Sequence, residues 1–185
     1  MLHDPRPDWD TIFMTLAFLV AQRSLDKHTR HGCLAVSELN EILSTGYNSP
    51  PRGCIDEEVP LERPMKYLYM VHSEANCINS AARCGISLEN STFYITGPPC
   101  NVCFRSIRNV GAKKIIYGPI LHQRTEDEIK SIEFMNKKRG PNFSGVTEQH
   151  IEMREFKDIQ KVHDLLKQTG TYIDKKLEIG ILNNQ

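Results

Sequence analysis

Two short stretches of the chain carry side chains able to hold a metal and to move protons. The first reads His72-Ser73-Glu74 and the second Pro98-Pro99-Cys100-Asn101-Val102-Cys103. Joined, they form H-x-E, a gap of 24 residues, and P-C-x-x-C. One imidazole and two thiolates make three good Zn2+ ligands, His72, Cys100 and Cys103. Three protein ligands leave the fourth tetrahedral position open, which is the arrangement of a catalytic zinc. Glu74 is not needed as a ligand, and two residues from His72 it can stand beside the metal as a proton carrier. A lone C-x-x-C would also fit a redox motif or a structural zinc knuckle. A structural site, however, wants a fourth Cys or His at tight spacing.

The elements around these stretches must bring them together. Trp9 to about Arg23 reads as a helix with apolar residues (Ile12, Phe13, Leu16, Ala17, Leu19, Val20) nearly all round it, buried within the core or between subunits. Gly32–Leu39 and Ile42–Tyr47 read as antiparallel strands joined by a tight turn at Glu38–Glu41. Cys54–Met65, with Pro60 and Pro64, reads as a long loop that closes over a ligand or meets another subunit. A helix is expected from Ser73 to Cys84, with Ala75, Ile78 and Ala81/Ala82 on its inner face and Gly85 as its stop. Ser91–Thr96 is a strand, Cys100–Val110 a helix with Val102, Ile107 and Val110 spaced for burial, and Lys113–Gly118 a strand. Thr125 with Glu128 fits a capping box opening a helix to about Lys138, with Ile129, Ile132 and Met135 inward and Gly140-Pro141 as its end. A fifth strand is expected within Val146–Met153, then a helix from Phe156 to Gln168 with Phe156, Ile159, Val162 and Leu166 as its stripe, then a polar tail, Thr171–Gln185. Helices alternating with strands after an opening hairpin predict an α/β fold. It is a three-layer α/β/α sandwich on a mixed five-stranded sheet, with both halves of the motif at the starts of consecutive helices.

Composition narrows the function. The 185 residues suit one domain over the whole chain, without repeat, linker or low-complexity segment. Lys+Arg and Asp+Glu are both 23, so there is no basic surplus of the kind that grips a nucleic-acid backbone, and a small substrate is favoured. The apolar run Ile12–Ala21 is too short to span a bilayer. It follows Asp4, Asp8 and Asp10 rather than a basic segment, so neither a membrane partner nor a signal peptide is expected. Six cysteines without secreted-scaffold spacing point to reduced thiols and a cytoplasmic protein.

Four stretches resemble the deoxycytidylate (dCMP) deaminases, within the cytidine deaminase-like superfamily. They are Ala21-Gln22-Arg23-Ser24; Gly46-Tyr47-Asn48 with Pro51-Arg52-Gly53; Val71-His72-Ser73-Glu74-Ala75-Asn76; and Pro99-Cys100-Asn101-Val102-Cys103. The resemblance covers roughly residues 10–120, and its zinc motif is the specific part. It implies one catalytic Zn2+ per subunit on His72, Cys100 and Cys103, and hydrolysis of dCMP to dUMP and ammonia. Glu74 would take the water proton and deliver it to the ring nitrogen and the leaving amine. It further implies a homohexamer activated by dCTP and inhibited by dTTP, with Mg2+ accompanying a triphosphate, and with Gly46, Tyr47, Asn48 and Ser49 as the effector loop. Two positions depart from the family pattern. Ser73 stands where alanine is common, its backbone N–H being the group that would meet the pyrimidine O2, and Ser49 stands where glycine is usual.

Other residues carry two readings each. Arg23 and Ser24 are phosphate-site candidates in the basic loop Arg23–His31, which has a single acid and is otherwise a solvated turn. Asn48 matches the asparagine that bonds the sugar, or caps a turn. Tyr117 stacks on the base, or is a core tyrosine. Arg105 and Arg108 approach an anion, or are solvated helix charges. Two rival functions stand beside the first. A deaminase of tRNA adenosine or single-stranded DNA cytosine would want a basic groove. A non-catalytic zinc-stabilised assembly subunit would have no use for Glu74.

Overall fold

The computed structural model describes residues 6–119, 125–137 and 150–168. Its elements are α1 (Trp9–Ala21), β1 (Gly32–Val36), β2 (Ile42–Tyr47), α2 (Ser73–Cys84), β3 (Thr92–Ile95), α3 (Asn101–Asn109), β4 (Lys114–Tyr117), α4 (Glu126–Asn136), β5 (Glu152–Glu155) and α5 (Ile159–Gln168). The expected order holds. The sheet runs β2-β1-β3-β4-β5, antiparallel across β2/β1 and β1/β3 and parallel across β3/β4 and β4/β5. Its two faces are filled by different sets of side chains. Leu34 and Val36 of β1, Tyr94 and Ile116 pack under Phe13, Met14, Ala17 and Phe18 of α1 and Val162 and Leu166 of α5. Cys33 and Ala35, Phe93, Ile95 and Ile115 pack under Cys77 and Ala81 of α2, Phe104 and Ile107 of α3 and Ile132 of α4. Successive residues of a strand face opposite ways, so a strand covered on both sides is buried at every position, as β1 is. Among the described residues no helix is long and apolar enough to cross a membrane.

Local chemistry sets most boundaries. The Asp8 carboxylate accepts from the Thr11 N–H and hydroxyl, both at 2.9 Å, and so starts α1. Gly85 ends α2 in the left-handed conformation with φ of 68°. The Thr125–Glu128 capping box is formed in both directions. Several expectations need correcting. β1 stops at Val36, not Leu39, because the Ser37 hydroxyl accepts from the N–H groups of Leu39 and Glu41 and Asn40 takes a positive φ. The loop Cys54–Met65 contains a 3-10 turn at Asp56–Glu58, and another follows at Met65–Leu68. α1 is buried on one side but leaves Trp9 and Leu19 exposed, and α2 buries Ser73, Glu74, Cys77 and Ala81 while Ala82 is exposed. Val102 and Ile129 are exposed, and Phe104, in the turn between Cys103 and Ile107, is the buried residue of α3 instead. β5 lies at Glu152–Glu155, overlapping the expected segment only at its end, and α5 starts at Ile159 with Phe156 already in the core. Gly140-Pro141 and the tail Thr171–Gln185 lie outside the described residues.

Two features hold the elements around the future site. Gly46 of β2 lies against the first turn of α2. A Cβ there would overlap the Ser73 carbonyl oxygen and the Cys77 amide nitrogen. In the loop between α1 and β1, the buried Asp26 carboxylate pairs with the Lys66 ammonium at 2.6 Å, with the side chains 5% and 3% exposed. The same carboxylate accepts from the N–H groups of His28 (2.8 Å) and Thr29 (3.1 Å) and from the Asn48 amide (3.4 Å). Burial alone would raise the Asp26 pKa, but Lys66 and the two N–H groups overcome it and hold the group below the ordinary 3.8.

Gly46→Ala is expected to cost about 1–3 kcal/mol through forced separation of β2 and α2, read as a lower urea midpoint; a variant as stable as the parent would refute the tight packing. Lys66→Met is expected to cost about 3–5 kcal/mol, because it strands a buried carboxylate. Combining it with Asp26→Asn should cost less than the two single losses added. Because folding lowers the Asp26 pKa, the stability it contributes is complete above pH 3.8 and is lost as the pH falls below that value. Asp26→Asn should therefore lose less stability than the parent over that acid range, and equal losses would contradict the pairing.

Candidate metal centre and cavity

The ends of β1 and β3 meet where the chain reaches its metal-ligating residues. β1 enters antiparallel to β3, with Cys33 opposite Ile95, so the start of β1 lies beside the carboxyl end of β3. The Gly32 N–H bonds the Thr96 hydroxyl (3.1 Å), the Thr96 N–H bonds the Gly32 carbonyl (3.0 Å) and the Asn48 N–H bonds the His31 carbonyl (3.1 Å). His72 is the N-cap of α2 and Cys100 the N-cap of α3. Both motif halves therefore open helices at one edge of the sheet.

There the Nδ1 of His72 lies 3.6 Å from the Cys100 sulfur and 3.5 Å from the Cys103 sulfur. The three ligand atoms lie within 4.8 Å of one another, and among the described residues no other group of such side chains converges. The donor set fits zinc. Zn–N of about 2.05 Å and Zn–S of about 2.3 Å at a tetrahedral angle place N and S about 3.5–3.6 Å apart. The Cys100 sulfur is also prepared as a ligand. A hydrogen bond from the Cys103 side chain, with His72 and the Cys103 N–H acting in the same direction, brings the Cys100 thiol down to about 3. The Cys103 thiol is raised by that neighbour and by burial, and the His72 pKa is raised chiefly by its bond to Cys100. The remaining cysteines stand apart from this group. Cys33 and Cys77 are fully buried, Cys54 and Cys84 are exposed, and no disulfide forms among the described residues.

A cavity of about 240 Å³ opens onto His72 and Cys100 of this group. It takes His72, Ser73 and Glu74 from the start of α2, and Gly97, Pro98 and Cys100 from the β3–α3 turn. It also takes Asp26, Thr29, His31 and Asn48 from the loops flanking β1 and β2. Arg63, Lys66, Tyr67 and Met70 come from the segment before α2, and Glu128 from α4. Glu74 is 5% exposed, and burial raises its pKa. The Ser73 hydroxyl donates to Glu74 Oε2 at 2.9 Å and fixes the carboxylate's orientation. Ser73, first residue of α2, also carries a backbone N–H without an intrahelical acceptor.

The other sequence candidates divide. Asn48 lines the cavity, but its amide is heavily engaged. Oδ1 accepts from the His31 N–H at 2.7 Å, and Nδ2 donates to the Thr29 carbonyl at 3.0 Å and to Asp26. One lone pair of Oδ1 remains for a hydroxyl donor, so the turn-forming and sugar-binding roles are compatible. Arg23 is exposed and contributes nothing to the cavity, and the buried Ser24 hydroxyl is spent on the Asn48 carbonyl at 2.7 Å. Neither lines the cavity, the turn being organised inward around Asp26. Tyr117 packs against the core on the α2–α4 side and is absent from the cavity lining. Gly46 has a packing role, while the Tyr47 carbonyl and the Ser49 hydroxyl both accept from the Asn76 amide of α2. Arg105 and Arg108 contribute nothing to the lining. The residues missed were Asp26, Arg63, Lys66 and Glu128. Asp26, the lone acid in a basic loop, was the available signal: an isolated carboxylate among cations is placed to be a buried partner.

Comparisons with known proteins agree with the site. Residues 7–119 match the family model of the cytidine and deoxycytidylate deaminase zinc-binding region. The chain is similar to the deoxycytidylate deaminase of Mus musculus, 34% identical over 155 residues that cover 79% of this chain and 84% of the relative. It is also similar to the Homo sapiens deoxycytidylate deaminase, 34% identical over 116 residues, 60% of this chain but only 64% of the length of that relative. In fold it is similar to the dCMP deaminase of cyanophage S-TIM5, crystallised with dCMP and dUMP, at a TM-score of 0.59 and 22% identity, covering 83% of this chain and 100% of the other. The family match takes in the whole metal-ligating cluster and more than half of the chain, and the chain belongs to the cytidine and deoxycytidylate deaminase zinc-binding family.

Proposed function

We propose that this chain hydrolyses dCMP to dUMP and ammonia. The observation that carries the proposal is the convergence of His72, Cys100 and Cys103 beside a buried, non-ligating carboxylate in one cavity. The similarity to deoxycytidylate deaminases of other organisms supports dCMP as the substrate. His72, Cys100 and Cys103 would hold the zinc, which supplies a Lewis acid that brings the pKa of water toward neutrality. The chain's own residues do the rest. Glu74 accepts a proton from the attacking water and gives it to the ring nitrogen next to the amino-bearing carbon; it then takes the second proton, from the hydroxyl now on that carbon, and delivers it to the departing amine. The C–N bond breaks, a carbonyl replaces the amine, and the carboxylate is regenerated. Burial suits Glu74 to this task, since it moves the carboxyl pKa above its ordinary value, the direction that favours a group which must both take and release a proton. Ser73 orients Glu74 through its hydroxyl, and its backbone N–H is available to the pyrimidine O2. The remaining lone pair of Asn48 Oδ1 suits a sugar hydroxyl.

Glu74→Ala should retain zinc and fold and lose at least about 10²–10⁴ in turnover. Metal analysis beside a product assay on dCMP checks this, and near-normal turnover with zinc bound would overturn the mechanism.

The proposal extends to regulation, by the family resemblance. The active form is an oligomer that dCTP activates and dTTP inhibits, through the loop Gly46–Ser49. Its support in this chain is mechanical: the Tyr47 carbonyl and Ser49 hydroxyl share one donor, the Asn76 amide, two residues from Glu74 on α2. A displacement of the loop by an effector reaches the first turn of α2 through that amide. Any Mg2+ would arrive on the phosphates of an effector, since the cluster at His72 is the sole convergent ligand group among the described residues. A dCMP titration should be sigmoidal, become hyperbolic with dCTP and revert with dTTP, and Tyr47→Ala should blunt both effects. Coupling energies of this kind are typically about 1–3 kcal/mol. A monomer by light scattering with hyperbolic kinetics indifferent to both triphosphates would remove the regulatory part alone.

A further inference from the structure

A nucleotide that presents its base to Glu74 carries its 5′-phosphate at the other end of the molecule. That group needs a cation whose charge is not already cancelled, preferably one that can bond two oxygens at once. The cavity wall contains two permanently basic side chains, Lys66 and Arg63. Lys66 is committed, 3% exposed and 2.6 Å from the Asp26 carboxylate. Arg63 makes no ion pair among the described residues. Its guanidinium carbon stands 5.9 Å from the centroid of the Tyr67 ring, another cavity residue. An arginine resting on an aromatic face keeps its planar donor fork free for an anion. The neighbouring Glu62 does not cancel it, because its carboxylate is turned to His28 Nε2 at 3.0 Å. The permanently basic side chains of the α1–β1 loop, Arg23, Lys27 and Arg30, lie outside the lining. Arg30 bonds the Gln22 side-chain oxygen at 3.0 Å, and Arg23 is exposed outside the lining. Arg63 is exposed, whereas Glu74 is 5% exposed. The guanidinium thus stands where the cavity meets solvent, and the carboxylate lies at its interior.

We infer that Arg63 binds the 5′-phosphate of the substrate and sets the preference for nucleotide over nucleoside. The inference rests on the proposed hydrolysis of dCMP. Tyr67 backs the guanidinium, and Lys66, pinned by Asp26, holds the segment that carries both. Glu128, on the cavity wall from α4, has one oxygen on the Thr125 N–H at 3.1 Å and adds negative charge to the lining. Among the described residues the cavity therefore offers one free guanidinium, enough for a monophosphate, rather than the cluster of cations that a polyanion requires.

The test is the ratio of kcat/KM for dCMP to that for deoxycytidine in the parent, Arg63→Ala, Arg63→Lys and Arg23→Ala. A charged hydrogen bond to phosphate makes the expected fall in this ratio about 10- to 100-fold for Arg63→Ala. Arg63→Lys should recover part of it, since charge remains and the fork is lost, and Arg23→Ala should move it less than Arg63→Ala. Calorimetric binding of dCMP and deoxycytidine, with Glu74→Gln in each background, gives the same ratio without turnover, and circular dichroism reports folding. A parental ratio in Arg63→Ala, or a larger fall in Arg23→Ala, would overturn the assignment of Arg63 while leaving the proposed hydrolysis intact. A parent that binds and deaminates dCMP no better than deoxycytidine would overturn the monophosphate reading together with Arg63.

Discussion

The structure depends on one geometric demand: three ligand atoms from two distant stretches must come within a few ångströms of each other. His72 and Cys100 each cap a helix, so the amino ends of α2 and α3 must lie side by side. Placing both on one face of the sheet, at the edge where β3 ends, satisfies that demand. The hairpin β1–β2 then lies antiparallel beside β3, and its outer ends, His31 and Asn48, come to the same edge. Close packing fixes the distance. The bare Cα of Gly46 lets β2 touch the backbone of α2, and a helix held that near cannot swing His72 away from the cysteines. The same edge orients the electrostatics, since the unpaired N–H groups at the start of α3 favour the thiolate form of Cys100.

Glu74 is the second consequence. A carboxylate held this deep is costly unless its environment shares the charge. The Ser73 hydroxyl takes part of it by direct donation, and the imidazole of His72 lowers the pKa while Cys100 raises it. The balance leaves the pKa above its ordinary value, in the direction required of a group that must gain and lose a proton within one cycle. Ser73 therefore has two functions in one residue, a side chain that steadies the carboxylate and a main chain that faces the cavity.

Much of this was legible in the sequence, and the reasons differ from element to element. The metal ligands were legible because coordination chemistry restricts both residue type and spacing, and α2 because Gly85 supplies an unambiguous stop. The order of elements followed from periodicity. Which face of each helix is buried followed less well: Val102 and Ile129 sit at plausible positions but point outward, because burial is decided by partners on other elements that one segment does not reveal. The cavity wall was the least legible part. Arg23 and Ser24 belong to a family-like stretch, yet neither lines the cavity, because Asp26 turns the loop inward. The Asp26–Lys66 pair joins residues 40 apart, and no local pattern announces such a contact.

That pair also changes what charge counting can say. The chain is neutral overall, with 23 basic and 23 acidic residues, and a global sum treats each as equivalent. Inside the cavity they are not. Lys66 and Asp26 cancel each other at 2.6 Å and contribute rigidity more than potential. Glu74 is buried and is the group proposed for proton transfer, and Arg63 alone in the lining keeps a permanent charge without a carboxylate among the described residues. Selectivity for an anionic ligand depends on the charge left after such internal pairing, evaluated at the depth where the anion must sit. A neutral chain can therefore present one uncompensated cation at the mouth of a cavity. Because the segment that carries it is tied down by a buried ion pair at Lys66, the backbone beneath the cation needs little further ordering on binding.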